Sequence, residues 1–136
     1  MYTLTEHFTI YEAEDSDIAI RHNIDNRIPD EATKQKIINV ARYLLEPIRE
    51  NFNVPFKPTS WYRCLELNRL LKSKDTSQHV KGEAVDIIIP TIPIQELYEY
   101  IKNHLDYDQL ILEYGSWVHV SYISPDENRM EAIKLS

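Results

Sequence analysis

Only two glycines occur in this chain of 136 residues, Gly82 and Gly115. Glycine takes positive φ, or lets two backbones approach closely, at little steric cost. A chain this sparing with it is restricted in where it can turn sharply, so each glycine is expected to serve a local purpose. Both lie among residues suited to chemistry. Gly82 sits in Ser77-Gln78-His79-Val80-Lys81-Gly82-Glu83-Ala84-Val85-Asp86, and Gly115 in Glu113-Tyr114-Gly115-Ser116-Trp117-Val118-His119.

His79 and Asp86 are seven positions apart. Along a regular strand that spacing separates their side chains by about 23 Å. One metal ion can hold both only if the chain bends between them, and Gly82 is the place for the bend. This reading puts His79 on a loop and Asp86 on a strand. The second segment reads as a hairpin turning at Gly115. In that register Glu113 faces Trp117 and Ile111 faces His119. Glu113 and His119 are then diagonal neighbours on one sheet face, about 7–8 Å apart at Cα. A slip of one residue would put them on opposite faces.

Two imidazoles and a carboxylate, His79, His119 and Asp86, are enough to hold a zinc ion (Zn2+) with one coordination position open. Such an ion brings the pKa of a bound water to about 7. Glu113, not needed as a ligand, is then placed to act as general base. Arg63 is the candidate cation, either for the charge that builds on the attacked carbonyl oxygen or for a substrate carboxylate. Taken singly, each histidine reads as an ordinary surface or core residue; His7, His22 and His104 read as solvated. Lys81 and Glu83 read as solvated charges flanking the site.

The formal net charge of −7 argues against a nucleic-acid partner, which would call for a basic stripe. Cys64 is the one cysteine, so no intramolecular disulfide forms, which suits cytoplasmic synthesis; it reads as a small apolar residue on a helix. The N-terminal residues lack the cationic and apolar blocks of a signal peptide. No stretch is long and apolar enough to insert into a membrane. A target in the cell wall would therefore require delivery by another factor. The length fits a single domain over 1–136, expected to act as a monomer.

Short helices are predicted near Thr9, which has capping-box spacing to Glu12, and after Ser16. A long helix is predicted over 30–51 from the stripe Ile37, Ile38, Ala41, Leu44, Leu45 and Ile48, with a kink or early end at Pro47. A short strand at 59–62 and a helix over 63–71 follow. Strands are predicted at 83–89, 109–112, 117–122 and 129–135, with a helix near Thr91 before the second of them. The pattern is an α+β domain, helices packed on a small antiparallel sheet.

At these residues the chain resembles the zinc D-Ala-D-Ala carboxypeptidase and L-Ala-D-Glu endopeptidase family, of the clan that includes hedgehog signalling domains. The family's Ser-x-His-x-x-Gly-x-Ala-x-Asp motif is complete at Ser77 to Asp86, and its glutamate before a Trp-x-His element is matched by Glu113 and Trp117-Val118-His119. The family's Ser-Gly-Tyr-Arg segment reads Ser60-Trp61-Tyr62-Arg63, followed by Asn68. The likeness spans roughly residues 8–121. It implies zinc held by His79, Asp86 and His119, with Glu113 as catalytic base and Arg63 as a substrate or transition-state contact. Ser77 and Trp117, inside the motifs, are expected to bind substrate. The implied substrate is a peptidoglycan stem peptide cut next to a D-amino acid, by a carboxypeptidase or an endopeptidase. Small members resemble phage lysis enzymes. Two departures bear on substrate choice: Trp61 replaces a glycine, where its ring is expected to reshape the cleft, and residues 71–76 replace a glycine pair. A non-catalytic zinc-containing binding module and a wall-attachment component are the alternative readings; the intact Glu113 favours an enzyme.

Overall fold

The computed structural model of the chain describes residues 2–136; Met1 lies outside them. Caps set the first helices. Around α1 (Ile10–Glu14) the Thr9 hydroxyl accepts from the Glu12 N–H at 3.3 Å while the Glu12 carboxylate accepts from the Thr9 N–H at 2.9 Å, the reciprocal arrangement that satisfies two otherwise free donors. Ser16 caps α2 (Asp17–Arg21), and Asp30 caps α3 (Glu31–Val40).

The long helix does not end or break at Pro47. It runs from α3 through a π turn (Ala41–Leu45) into α4 (Glu46–Phe52) and stops at Asn53 in the left-handed conformation. Proline has no N–H to offer the carbonyl one turn back, and its ring would crowd that carbonyl. The wider π turn, just N-terminal to Pro47, lets the helix pass it. The apolar stripe therefore stays continuous: Ile37, Val40, Ala41, Leu44, Leu45 and Ile48 are all fully buried. Each large member contributes about 1.5–3 kcal/mol of burial.

Beyond it lie α5 (Leu65–Leu70), α6 (Gln78–Lys81), β1 (Ala84–Ile87), α7 (Ile94–His104), β2 (Gln109–Glu113), β3 (Trp117–Ser121) and β4 (Glu131–Leu135). The expected strand at 59–62 is reduced to a bridge between Ser60 and Asp86, because Tyr62 leaves the strand edge and donates its N–H to the Ala13 carbonyl of α1.

The domain is α+β, with a four-stranded sheet in the order β1-β3-β2-β4. The sheet is mixed rather than wholly antiparallel: β3 runs antiparallel to β1 and β2, whereas β4 runs parallel to β2. β3 ends beside the start of β2, and the connection stays at that end, where Met130 and Glu131 donate to the Tyr107 and Asp108 carbonyls. A strand that begins there can only run alongside β2 in the same direction. The side-chain period of two then divides the sheet. Val85, Ile87, Leu110, Leu112, Val118 and Val120 are buried on one face, against which α7 packs. Asp86, Ile111, Glu113, Trp117 and His119 share the other.

Gly82 ends α6 at φ 80°, and a Cβ there would meet Ile37 Cγ1 at 3.0 Å and the Thr33 carbonyl oxygen at 3.1 Å. Gly82→Ala is expected to cost about 2–4 kcal/mol, from the left-handed conformation and the collision with α3 together. Urea denaturation of the metal-free protein checks this; a midpoint equal to the parent's would mean that α3 can retreat. Six described residues other than glycine also take positive φ: Asn23, Asn53, Lys72, Thr91, Tyr114 and Met130. The scarcity of glycine thus moves left-handed turns onto two asparagines, which tolerate them, and four residues that ordinarily avoid them.

Candidate metal centre

The sheet register brings two of the candidate ligands together. Asp86 of β1 is the direct cross-strand partner of His119 of β3, and His119 Nδ1 lies 3.0 Å from Asp86 Oδ1. His79 arrives from the other direction. It lies on α6, a single helical turn, rather than on a loop. The Ser77 hydroxyl caps this turn by accepting from the His79 N–H at 3.2 Å, and Gly82 reverses the chain into β1. His79 Nε2 thereby comes within 3.3 Å of the same Asp86 oxygen, and the two imidazoles meet edge to face with centroids 5.2 Å apart. One potential ligand atom from each of the three residues lies within 4.8 Å of the others.

His79 is almost wholly buried, and its Nδ1 is 2.7 Å from the Trp61 carbonyl oxygen. A carbonyl only accepts, so Nδ1 carries the proton and Nε2 turns a lone pair toward Asp86. This is the tautomer a metal ligand needs, fixed by an outer hydrogen bond. Burial holds His79 below the usual imidazole range, which favours its neutral form. Burial works against ionised Asp86, but its contacts with His119 and His79 outweigh it and hold the carboxyl below the usual carboxylate range.

Trp61 contributes this carbonyl, not a cleft wall. Its ring is 1% exposed and packs edge-on against Phe8, so the expectation that it reshapes the cleft is corrected. The large ring fills core volume that a glycine would leave to other residues.

Arg63 lies beside the group and is largely committed. Its Nε donates to Ser60 Oγ at 3.1 Å and Nη1 to Asn68 Oδ1 at 3.4 Å, while Nη2 sits 3.6 Å from Asp86 Oδ2. Asp86 thus faces the imidazoles with one oxygen and the guanidinium with the other. Asn26, 8% exposed, holds the backbone on both sides of Arg63: its amide donates to the Tyr62 carbonyl at 3.1 Å, and its carbonyl accepts from the Cys64 N–H at 2.7 Å. Cys64 caps α5 through its sulfur, accepting from the Leu67 N–H at 3.4 Å, rather than lying within the helix.

Glu113 pairs with Trp117, and Ile111 with His119, the register expected from the hairpin. Glu113 and His119 are therefore diagonal neighbours on one face. Burial raises Glu113 above the usual glutamate range; His119 counters this in part and Asp86 adds to it. Trp117 stands half-buried next to Glu113 on that face. Two clefts open beside the group. One, of 390 Å³, is lined by Ser60, Tyr62 and Arg63 together with α2. The other, of 910 Å³, is lined by Ser77, Gln78, His119 and Arg129 among others.

Three residues here escaped the sequence reading. Glu83 is buried, not solvated, and lies 3.4 Å from Lys36 Nζ. Asp108 is fully buried and accepts from Arg129 and from Gln78. Gln78 was visible only as a variable position between Ser77 and His79. Nothing in sequence spacing joins positions 78, 108 and 129. A second carboxylate–imidazole group, Glu6, His7 and Glu46, lies on the surface. There Glu46 accepts from the Thr5 hydroxyl and the His7 N–H and faces His7 Nδ1 at 2.6 Å, so His7 is paired and the N-terminal segment is tied to α4.

The donor set suits zinc. Ligand bonds of 2.0–2.2 Å in a tetrahedron imply ligand atoms about 3.3–3.6 Å apart, and the His79 and His119 nitrogens lie 3.3 and 3.0 Å from Asp86 Oδ1, close to that range. Two neutral nitrogens and one carboxylate oxygen leave a fourth position for water or substrate. Among known proteins, the model of the family described as peptidase M15 matches residues 6–121, which include His79, Asp86, Glu113 and His119. No curated protein matches the chain.

Proposed function

This chain belongs to the peptidase M15 family, and from that premise we propose that it is a zinc-dependent peptidase hydrolysing peptidoglycan stem peptides next to a D-amino acid. The observation that carries the reading is the meeting of His79 Nε2 and His119 Nδ1 at one oxygen of Asp86. His79, Asp86 and His119 would hold the ion. When bound, zinc supplies a Lewis acid that acidifies water and polarises a carbonyl.

The chain's own residues supply the rest. Glu113, on the same face as His119, takes a proton from the attacking water and returns it to the leaving amine. Its partly buried position keeps its proton affinity above that of a free glutamate, which suits both transfers. Arg63 holds Asp86 in place through Oδ2 and leaves its remaining N–H groups for substrate. The clefts on the Arg63 and His119 sides leave room for peptide on both sides of the scissile bond. Ser77, which lines the cleft on the His119 side, and Trp117, beside Glu113 on the sheet face, are the proposed substrate contacts. No helix of the described residues is long and apolar enough to cross a membrane.

Mass spectrometry of purified muropeptides incubated with the zinc-loaded protein reads the scissile bond. Loss of a terminal D-alanine identifies a carboxypeptidase; release of a longer peptide identifies an endopeptidase. Intact stem peptides after prolonged incubation would defeat the reading.

A further inference from the structure

Asp86 and His119 are cross-strand partners, so the hydrogen-bonded ladder sets their separation. His79 has no strand partner; its one backbone tie outside its own turn is its carbonyl, which accepts from the Arg63 N–H at 3.2 Å. It comes from a helix of four residues, too short to hold its own place. The Trp61 carbonyl orients its ring, but something must set where α6 as a whole lies against the sheet. The side chain before His79 makes that tie. Gln78 Nε2 donates to Asp108 Oδ2 at 3.0 Å and lies 3.3 Å from Glu83 Oε1.

Asp108 is well placed to anchor it. It stands at the entrance to β2, fully buried. Its N–H donates to the Ser121 carbonyl of β3 at 2.8 Å, and its carbonyl accepts from the Glu131 N–H of β4 at 3.0 Å. It is therefore joined to the strand that carries His119. Arg129 meets its carboxylate with Nε at 2.9 Å, Nη2 at 2.8 Å and the backbone N–H at 3.0 Å. Those hydrogen bonds, the Arg129 side chain foremost, hold Asp108 below the usual carboxylate range. An ionised carboxylate only accepts, so Gln78 must present its NH2 group to it. Arg129 lies beyond residues 6–121, the stretch matched by the family model.

We infer that Asp108 is a positioning residue of the metal centre: through Gln78 it sets the place of α6, and so the approach of His79 to Asp86 and His119, while Arg129 clamps its carboxylate from the C-terminal segment. The inference rests on the zinc reading of the site. It makes a segment outside the family match part of the support for metal binding.

The test is equilibrium zinc binding by chelator competition on the full chain, with the absorption spectrum of the cobalt-loaded protein as a second readout. Gln78→Leu removes the amide but leaves Asp108 paired with Arg129, so the metal-free protein should stay folded. Its zinc Kd is expected to rise about 10-fold or more, with shifted cobalt bands, as for other outer contacts of metal ligands. Gln78→Lys puts an ammonium within reach of Asp108 and is expected to return the Kd to within about threefold of the parent through a charge-assisted bond. A side chain that merely filled space would not separate leucine from lysine in this way. Parental zinc affinity and an unchanged cobalt spectrum in Gln78→Leu would overturn the inference, as would equal losses in both variants. A parent chain that binds no zinc would overturn the zinc reading itself, and this inference with it.

Discussion

Glu113→Gln is expected to lower kcat/KM on stem peptides by about 10²–10⁴-fold, the usual contribution of a positioned acid–base group, while zinc affinity stays at the parent value. Glutamine keeps the size and polarity of the side chain and removes only its ability to take a proton. Glu113 is not among the three residues whose ligand atoms converge, so its replacement should leave the metal in place. It sits one diagonal step from His119 in the sheet, near enough for charge on His119 to affect its proton affinity. Steady-state kinetics and metal analysis on the same preparation decide the matter. A variant as active as the parent would remove Glu113 from the chemistry. A variant that lost zinc as well would make it a ligand instead of a base.

His119→Ala should have its largest effect on the metal. One of the three proposed ligands is removed, and the expected rise in zinc Kd exceeds about 100-fold, the upper range for losing an outer contact alone. The fold should survive. His119 lies on the site face of β3, whereas its neighbours Val118 and Val120 carry the buried face. Asp86 keeps its ion pair with Arg63 and its contact with His79, so no carboxylate is stranded without partners. Circular dichroism matching the parent, combined with lost zinc, is the expected pair of results. Full zinc occupancy in this variant would exclude His119 from the ligand set.

The hairpin was legible because it is local. Alternation from Gln109 to Ser121 around one glycine specifies which residues share a face, and the register found is the one expected. The amphipathic long helix was legible for the same reason, although its passage through Pro47 was not: a π turn depends on packing that keeps both halves of the helix in line. Trp61 was misplaced because a bulky residue beside Tyr62 and Arg63 in sequence could face cleft or core. Only the position of Phe8, far away in the chain, sends it inward. Glu83 was misplaced because Lys36 and Gln78 reach it from other elements.

By itself the sequence determined the residue types proposed for the metal centre, the need for a bend at Gly82, and the shared face of Glu113 and His119. These follow from spacing, from side-chain chemistry and from the two periods of helix and strand. Only the tertiary structure decided that β1 pairs with β3, so that Asp86 stands opposite His119, and that β4 joins β2 in parallel. It alone showed that the Trp61 carbonyl selects the His79 tautomer and that Asp108 anchors Gln78. The physical reason is that these contacts join residues far apart in the chain, where pairing is chosen by the burial of a whole sheet face and leaves no periodic trace in the segments that meet.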